Sequence, residues 1–247
     1  MLFVKSFKYS GIMKSNILFK LINSLVFVAF FSSCSGGNTD AGTDSNSKND
    51  EPRKKVLIET SYGNIIIELY NETPLHRDNF IKLVSEEVYN GTLFHRVINQ
   101  FMIQGGDPDS KEAQPGQQLG MGGPGYTIDA EFVADFFHVK GALAAARQGD
   151  NVNPMKKSSG SQFYIVQGRP FAHQELDILE QRTGKPLSNE KRRMYSTVGG
   201  TPHLDGEYTV FGIVVEGLEV VDSIASVKTD QMNRPLEDVS VKMKVLD

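Results

Sequence analysis

The string Phe94-His95-Arg96-Val97-Ile98-Asn99-Gln100-Phe101-Met102-Ile103-Gln104-Gly105-Gly106-Asp107 holds the residue types most capable of chemistry in this chain. Side chains alternate across an extended backbone, so alternation through Phe94–Ile98 puts Arg96 on one face and its apolar neighbours on the other. A second strand carrying Met102 and Gln104 beside it would bring a cation, an amide and apolar side chains to one surface. Such a surface can hold an apolar group by its body and act on a polar atom at its edge. The alternative is an ordinary strand with a salt-bridged surface arginine, and exposed arginines are common.

Three other patterns raise chemistry and lose it on inspection. Gly120-Met121-Gly122-Gly123-Pro124-Gly125 suggests a phosphate loop, but such a loop opens a helix. Here a strand-like Tyr126-Thr127-Ile128 follows and the Lys-Ser/Thr ending is absent, so a turn-rich surface loop is expected. Ser158, Ser159 and Ser161 lack the G-x-S-x-G frame of a hydrolase nucleophile. The histidines His76, His95, His138, His173 and His203 include no i, i+4 pair with a neighbouring glutamate, so no metal site is expected.

The elements around the string are short. Val56–Thr60 and Asn64–Leu69 flank Ser61-Tyr62-Gly63 as a hairpin. Thr73-Pro74 reads as an N-cap with proline at the first helical position, Phe80, Leu83, Val84 and Val88 share a helical face, and Asn90-Gly91 reads as the stop. Strand-like runs follow at 93–98, 101–104, 142–145, 163–166, 209–215 and 239–245, with a second amphipathic helix through Leu218, Val221 and Ile224. Many short strands, few helices and no βαβ rhythm favour a barrel or sandwich. Residues 171–200 stand apart: two polar, helix-forming stretches separated by Gly184-Lys185-Pro186 read as an inserted helical pair.

Residues 1–33 carry Lys5, Lys8, Lys14 and Lys20 and no acid, then an apolar run Leu21–Phe31, then small residues before Cys34, the single cysteine. That is the layout of a secretory signal. With cysteine at the cut it resembles the lipobox of bacterial lipoproteins, which implies a lipidated Cys34 and a membrane anchor. The run is about half of the roughly 20 residues needed to span a bilayer. Met13 is an alternative start. Residues 34–53, rich in Ser, Gly, Asn, Asp and Thr, read as a flexible tether, and 54–247 as the folded domain. The whole chain has 26 basic and 30 acidic residues, net charge −4, so a nucleic-acid partner is not expected. Nothing demands more than a monomer.

Phe94-His95-Arg96 through Gln104-Gly105-Gly106-Asp107 closely resembles the signature of the cyclophilins. So do Gly160–Ile165, Leu204–Gly212 and Glu216–Asp222, in the family's order across roughly 55–247. The resemblance implies a mainly β fold, an eight-stranded antiparallel barrel capped by two helices, here with the inserted pair. It implies a peptidyl-prolyl cis-trans isomerase, a rotamase, acting on proline-containing unfolded or flexible polypeptides and needing no cofactor. Arg96 matches the catalytic arginine. Phe101, Met102 and Leu204 match proline-pocket residues, Gln104 and Gln162 the pocket glutamines, and Ala146 and Arg147 the strand-end pair that meets the peptide backbone. Tyr164 stands where many relatives have Phe, which implies a hydroxyl at the pocket floor. Tyr208 stands where many have His. His203 stands where many have Trp, a departure that bears on cyclosporin binding more than on isomerisation. Two other functions stay open: a module that binds proline peptides without turning them over, and an envelope chaperone. The insertion either shapes substrate choice or is an inert surface elaboration, since loops accept insertions readily.

Overall fold

The computed structural model describes residues 51–246. The signal segment 1–33, Cys34 and all but the last three residues of the tether lie outside the described residues. The β-branched runs form β1 (Lys55–Thr60) and β2 (Gly63–Leu69), joined across Ser61-Tyr62 with Thr60 opposite Gly63. The short strands β3 (Arg96–Ile98), β4 (Met102–Gly105), β6 (Ala142–Ala145) and β8 (Phe163–Val166) follow, with β9 (Val210–Glu216) and β10 (Lys242–Leu246) closing the chain. These eight make one antiparallel sheet in the order β10-β1-β2-β9-β6-β8-β4-β3. Two-residue strands β5 (Thr127–Ile128) and β7 (Ser158–Ser159) pair separately.

The expected barrel is this single sheet, curled. Its edges are not joined by a continuous ladder. The segments leading into the two edge strands meet instead: Gly91 N–H bonds Val241 O, Val241 N–H bonds Thr92 O and Phe94 N–H bonds Val239 O, each at 2.9 Å. Inside the curl lies the core of Ile58, Ile65, Ile67, Phe94, Ile103, Leu143 and Phe163, capped by Phe80, Leu83 and Val84 of α1 (Pro74–Ser85) and by Val220, Val221 and Ile224 of α4 (Leu218–Ala225). Both capping helices are where the apolar spacing puts them. The insertion is α2 (His173–Thr183) and α3 (Asn189–Thr197).

Two local expectations about α1 change. Thr73 holds the N-cap position, but its side chain makes no capping bond. The Glu131 carboxylate, from a loop 55 residues away, accepts from the Leu75 and His76 amides at 3.0 Å and from His76 Nδ1 at 2.7 Å. The helix also stops before Asn90-Gly91. Glu87 takes the left-handed conformation at φ 55°, Val88 N–H bonds Leu83 O and Glu87 N–H bonds Val84 O. That is the Schellman pattern, which glycine usually occupies because a Cβ costs about 1–2 kcal/mol there.

Burial pushes the Glu131 carboxyl up, but hydrogen bonds from the His76 ring and the two amides outweigh it, leaving its pKa below the ordinary 4.5. A carboxylate depressed by folding stabilises above its unfolded pKa and loses that contribution as pH falls through its folded value. Glu131→Ala is expected to lower the unfolding free energy by about 2 kcal/mol at neutral pH. Urea melts should show the gap narrowing once pH drops below 4.5. A gap that stays constant into acid would remove the carboxylate as its source.

Candidate active site

Register builds the site. Arg96 on β3 lies opposite Gln104 on β4, Gln104 opposite Tyr164 on β8, and Tyr164 opposite Ala144 on β6. These four form one row across the outer face of the sheet. The adjacent row, Val97, Ile103, Ile165 and Leu143, points into the core. The outer face carries its own apolar cluster of Met102, Ala142, Ala144, Ala146, Tyr164, Val166 and Val210, with Phe101, Leu204 and Tyr208 packed against it. Ala146, at the wall of a cavity, leaves room for a ligand ring that a larger side chain would fill.

Within that cluster a cavity of about 100 Å³ is lined by Arg96, Phe101, Met102, Gln104, Ala146, Arg147, Tyr164, Leu204 and Tyr208. Nine of the predicted site residues therefore converge. The cavity shares Gln104, Ala146 and Arg147 with a wider groove of about 600 Å³ walled by the glycine-rich turn at 120–125 and by Gln162. An apolar slot opening onto a long groove suits an extended chain that inserts one ring.

The polar groups are oriented in one direction. Arginine can only donate. Arg96 Nη1 donates to Gln104 Oε1 at 3.1 Å, so the Gln104 amide nitrogen faces away and donates to Gln162 Oε1 at 3.0 Å. Gln162 Nε2 then donates to the carbonyls of Gly120, at 3.0 Å, and Gly122, at 2.8 Å. Backbone carbonyls only accept, so both ends of the chain fix the same direction. The two glycines are held in turn through their amides by Asp107, fully buried, whose Oδ2 accepts from Gly120 N–H at 2.5 Å and Gly122 N–H at 3.4 Å. A Cβ at Gly122 would sit 2.1 Å from Asp107 Oδ1, so only glycine fits. The glycine-rich string is thus the far anchor of the arginine. Asp107 ends the informative string and caps the short turn after it through the Asp109 amide, but its bonds to the glycine loop span 13 and 15 residues and leave no mark in the local pattern.

Arg96 is half-buried, and that burial lowers its pKa from the ordinary value. It stays a cation, as arginine does in proteins. Among the described residues its Nε and Nη2 make no hydrogen bond, so donors remain for a ligand in the cavity.

Three predicted residues behave differently from the reading. Ala146 has both backbone groups committed: its N–H bonds Gln162 O at 3.0 Å and its carbonyl accepts from Ser159 N–H at 2.8 Å. Arg147 supplies the free backbone instead, since neither its N–H nor its carbonyl is bonded among the described residues. Its side chain is turned away, with Nε donating to Glu207 O at 2.7 Å and the guanidinium 4.6 Å from the Tyr208 ring centre. His203 does not line the cavity. Its ring stacks on Phe101, centroids 5.8 Å apart, and supports that wall from outside.

The described chain falls in a known family. The family described as cyclophilin type peptidyl-prolyl cis-trans isomerase/CLD matches residues 55–245. A Staphylococcus aureus (strain COL) protein named as a peptidyl-prolyl cis-trans isomerase is 36% identical over 192 residues, which cover 76% of this chain and 89% of that one. A Streptococcus pyogenes protein named as a bifunctional phosphatase/peptidyl-prolyl cis-trans isomerase is 39% identical over 196 residues, but the match spans only 37% of its length. A Cryptosporidium parvum cyclophilin shares the fold, with TM-score 0.57 at 24% identity over 79% of this chain and 98% of that one. The chain belongs to the cyclophilin-type peptidyl-prolyl cis-trans isomerases.

If the network holds Arg96 in place, Gln162→Leu should cut kcat/KM on an Xaa-Pro peptide by about tenfold, the worth of one well-placed hydrogen bond to a charged site. The melting temperature should fall by about 5 °C, because the Gly120 and Gly122 carbonyls lose their donor, so activity is compared well below the melt. A change of less than about twofold would show that Arg96 and Gln104 need no such anchor.

Proposed function

We propose that this chain accelerates rotation about Xaa-Pro bonds in exported polypeptides from a membrane to which Cys34 tethers it. The observation that carries the chemistry is the Arg96–Gln104 pair on the lip of an apolar cavity. Rotation about an amide faces a barrier of about 18–20 kcal/mol, because resonance gives the C–N bond double-bond character. For Xaa-Pro the two planar states differ by about 1 kcal/mol, yet they interconvert over tens of seconds or longer. Catalysis needs only preferential binding of the twisted state. In that state the proline nitrogen regains a lone pair, and a guanidinium donor beside it is matched to that lone pair and not to the planar amide. Phe101, Met102, Tyr164 and Leu204 take the ring. The free Arg147 backbone and the second Gln104 amide hydrogen take the chain on the carbonyl side. Arginine serves because its charge persists and its donors are fixed, and donors that need no reorganisation act strongly in a site sheltered from water.

A Cryptosporidium parvum cyclophilin of the same fold has been crystallised in the presence of the dipeptide Ala-Pro, which supports a proline peptide as ligand. The envelope address rests on the sequence: a basic start, an apolar run and small residues ahead of Cys34. Among the described residues no helix is long and apolar enough to cross a membrane.

Arg96→Ala should reduce kcat/KM on an Ala-Pro peptide by about 100-fold or more, as for loss of a donor to a developing charge. Arg96→Lys, with a point charge in place of the fork, should recover only part of it. Undiminished turnover in Arg96→Ala would end this reading, and suppression of aggregation surviving without turnover would favour a holding chaperone. In cells, Cys34→Ser is expected to move the protein from the membrane fraction to the soluble fraction. Retention at the membrane would remove the lipid anchor.

A further inference from the structure

Beneath the cavity lies a second polar chain, and it leads into the insertion. Tyr164 presents its ring to the cavity, but its hydroxyl does not enter it. That hydroxyl lies 3.0 Å from Nε2 of His138, which is fully buried. The other ring nitrogen, Nδ1, lies 3.0 Å from Asp205 Oδ1. The same oxygen accepts from the His138 backbone N–H at 2.9 Å and from the Tyr195 hydroxyl at 2.8 Å. Tyr195 is fully buried on α3, and from the same helix the Lys191 ammonium lies 3.5 Å from Asp205 Oδ2.

Donor logic again fixes direction. A carboxylate only accepts, so His138 carries its proton on Nδ1 and leaves Nε2 as an acceptor. Burial lowers the His138 pKa and raises that of Tyr164, so the neutral ring receives the tyrosine O–H. The imidazole is wedged between both tyrosines of the cavity, with ring centres 6.0 Å from Tyr164 and 6.4 Å from Tyr208. The end of the insertion is clamped to the same place. Thr201 N–H bonds His138 O at 2.8 Å, and a Cβ at Gly200 would sit 2.2 Å from that oxygen.

We propose that α3, the second helix of the insertion, is part of the proline pocket, and that Tyr195 is a positioning residue which acts through Asp205 and His138 to hold the Tyr164 ring as the pocket floor. Remove the Tyr195 hydroxyl and Asp205 loses one of its three donors. The carboxylate keeps its two bonds from His138 but is fixed less tightly beneath the imidazole, and the Tyr164 ring gains freedom to rock. The affected quantity is how well the proline ring is held, so KM should change and kcat should not. This inference rests on the isomerase reading of the same cavity.

The test is a double-mutant cycle on the full chain with an Ala-Pro peptide. Tyr195→Phe keeps the ring that packs edge-on against Phe137, centroids 5.6 Å apart, and removes only the hydroxyl. It should raise KM about fivefold with kcat within about twofold. In a Tyr164→Phe background, where no hydroxyl remains to be positioned, the same substitution should change KM by less than about twofold. An unchanged KM in folded Tyr195→Phe overturns the proposal, as does an equal factor in both backgrounds, which would make the two sites independent. If wild type binds the peptide without turning it over, the isomerase reading fails and the same cycle is read in Kd. Should the variants not fold, ring 15N spectra of wild type decide. The Nδ1–H tautomer of His138 should be present and its signals should shift when Ala-Pro binds, and signals that ignore the dipeptide overturn the proposal.

Discussion

The antiparallel register of β3, β4, β8 and β6 is the constraint on which the site depends. Side chains alternate with a period of two, so a slip of one residue in any pairing would send Arg96 or Gln104 into the core and bring Val97 or Ile103 out. The register is held because the inner row of Val97, Ile103, Ile165 and Leu143 is almost wholly buried. Hydrophobic burial on one face thereby sets the placement of the polar groups on the other. Precision at the site is inherited from the core.

What register places, hydrogen bonding orients. Arg96 would otherwise be a long side chain with many rotamers. Its contact with Gln104 is the first of three links that end on backbone carbonyls of a loop whose amides are held by buried Asp107. A half-satisfied buried network destabilises more than an apolar core would. Here each link has its donor and acceptor, and the orientation is settled before a ligand arrives. A second network under the cavity keeps the Tyr164 hydroxyl out of the pocket, so a residue that introduces a polar atom still presents an apolar floor.

Much of this was legible in the sequence where period and burial agree. The sheet strands and both capping helices follow from apolar spacing, the helical insertion from two polar, helix-forming stretches around Gly184-Lys185-Pro186, and the outward Arg96 and Gln104 from alternation. Alternation also put Met102 on that surface, whereas family resemblance brought Phe101, Leu204 and Tyr208 to the same cavity. Two of the failures, at Thr73 and His138, share a cause: the deciding partner is far along the chain. Thr73 is a sound N-cap by type, yet Glu131 supplies the bonds. Gly91 looked like the helix stop because glycine suits a left-handed residue, yet Glu87 adopts that conformation with Val88 packed on the core. His138 was weighed only as a metal ligand. Its true neighbours, Tyr164 and Asp205, lie 26 and 67 residues away.

The most direct test of the account is a crystal structure of the protein with Ala-Pro bound. The account places the proline ring in the cavity against Phe101, Met102, Tyr164 and Leu204, with the Arg96 guanidinium within about 4 Å of the proline nitrogen and still bonded to Gln104. A dipeptide seated elsewhere, or an Arg96 swung away from the proline while the ring is bound, would contradict it.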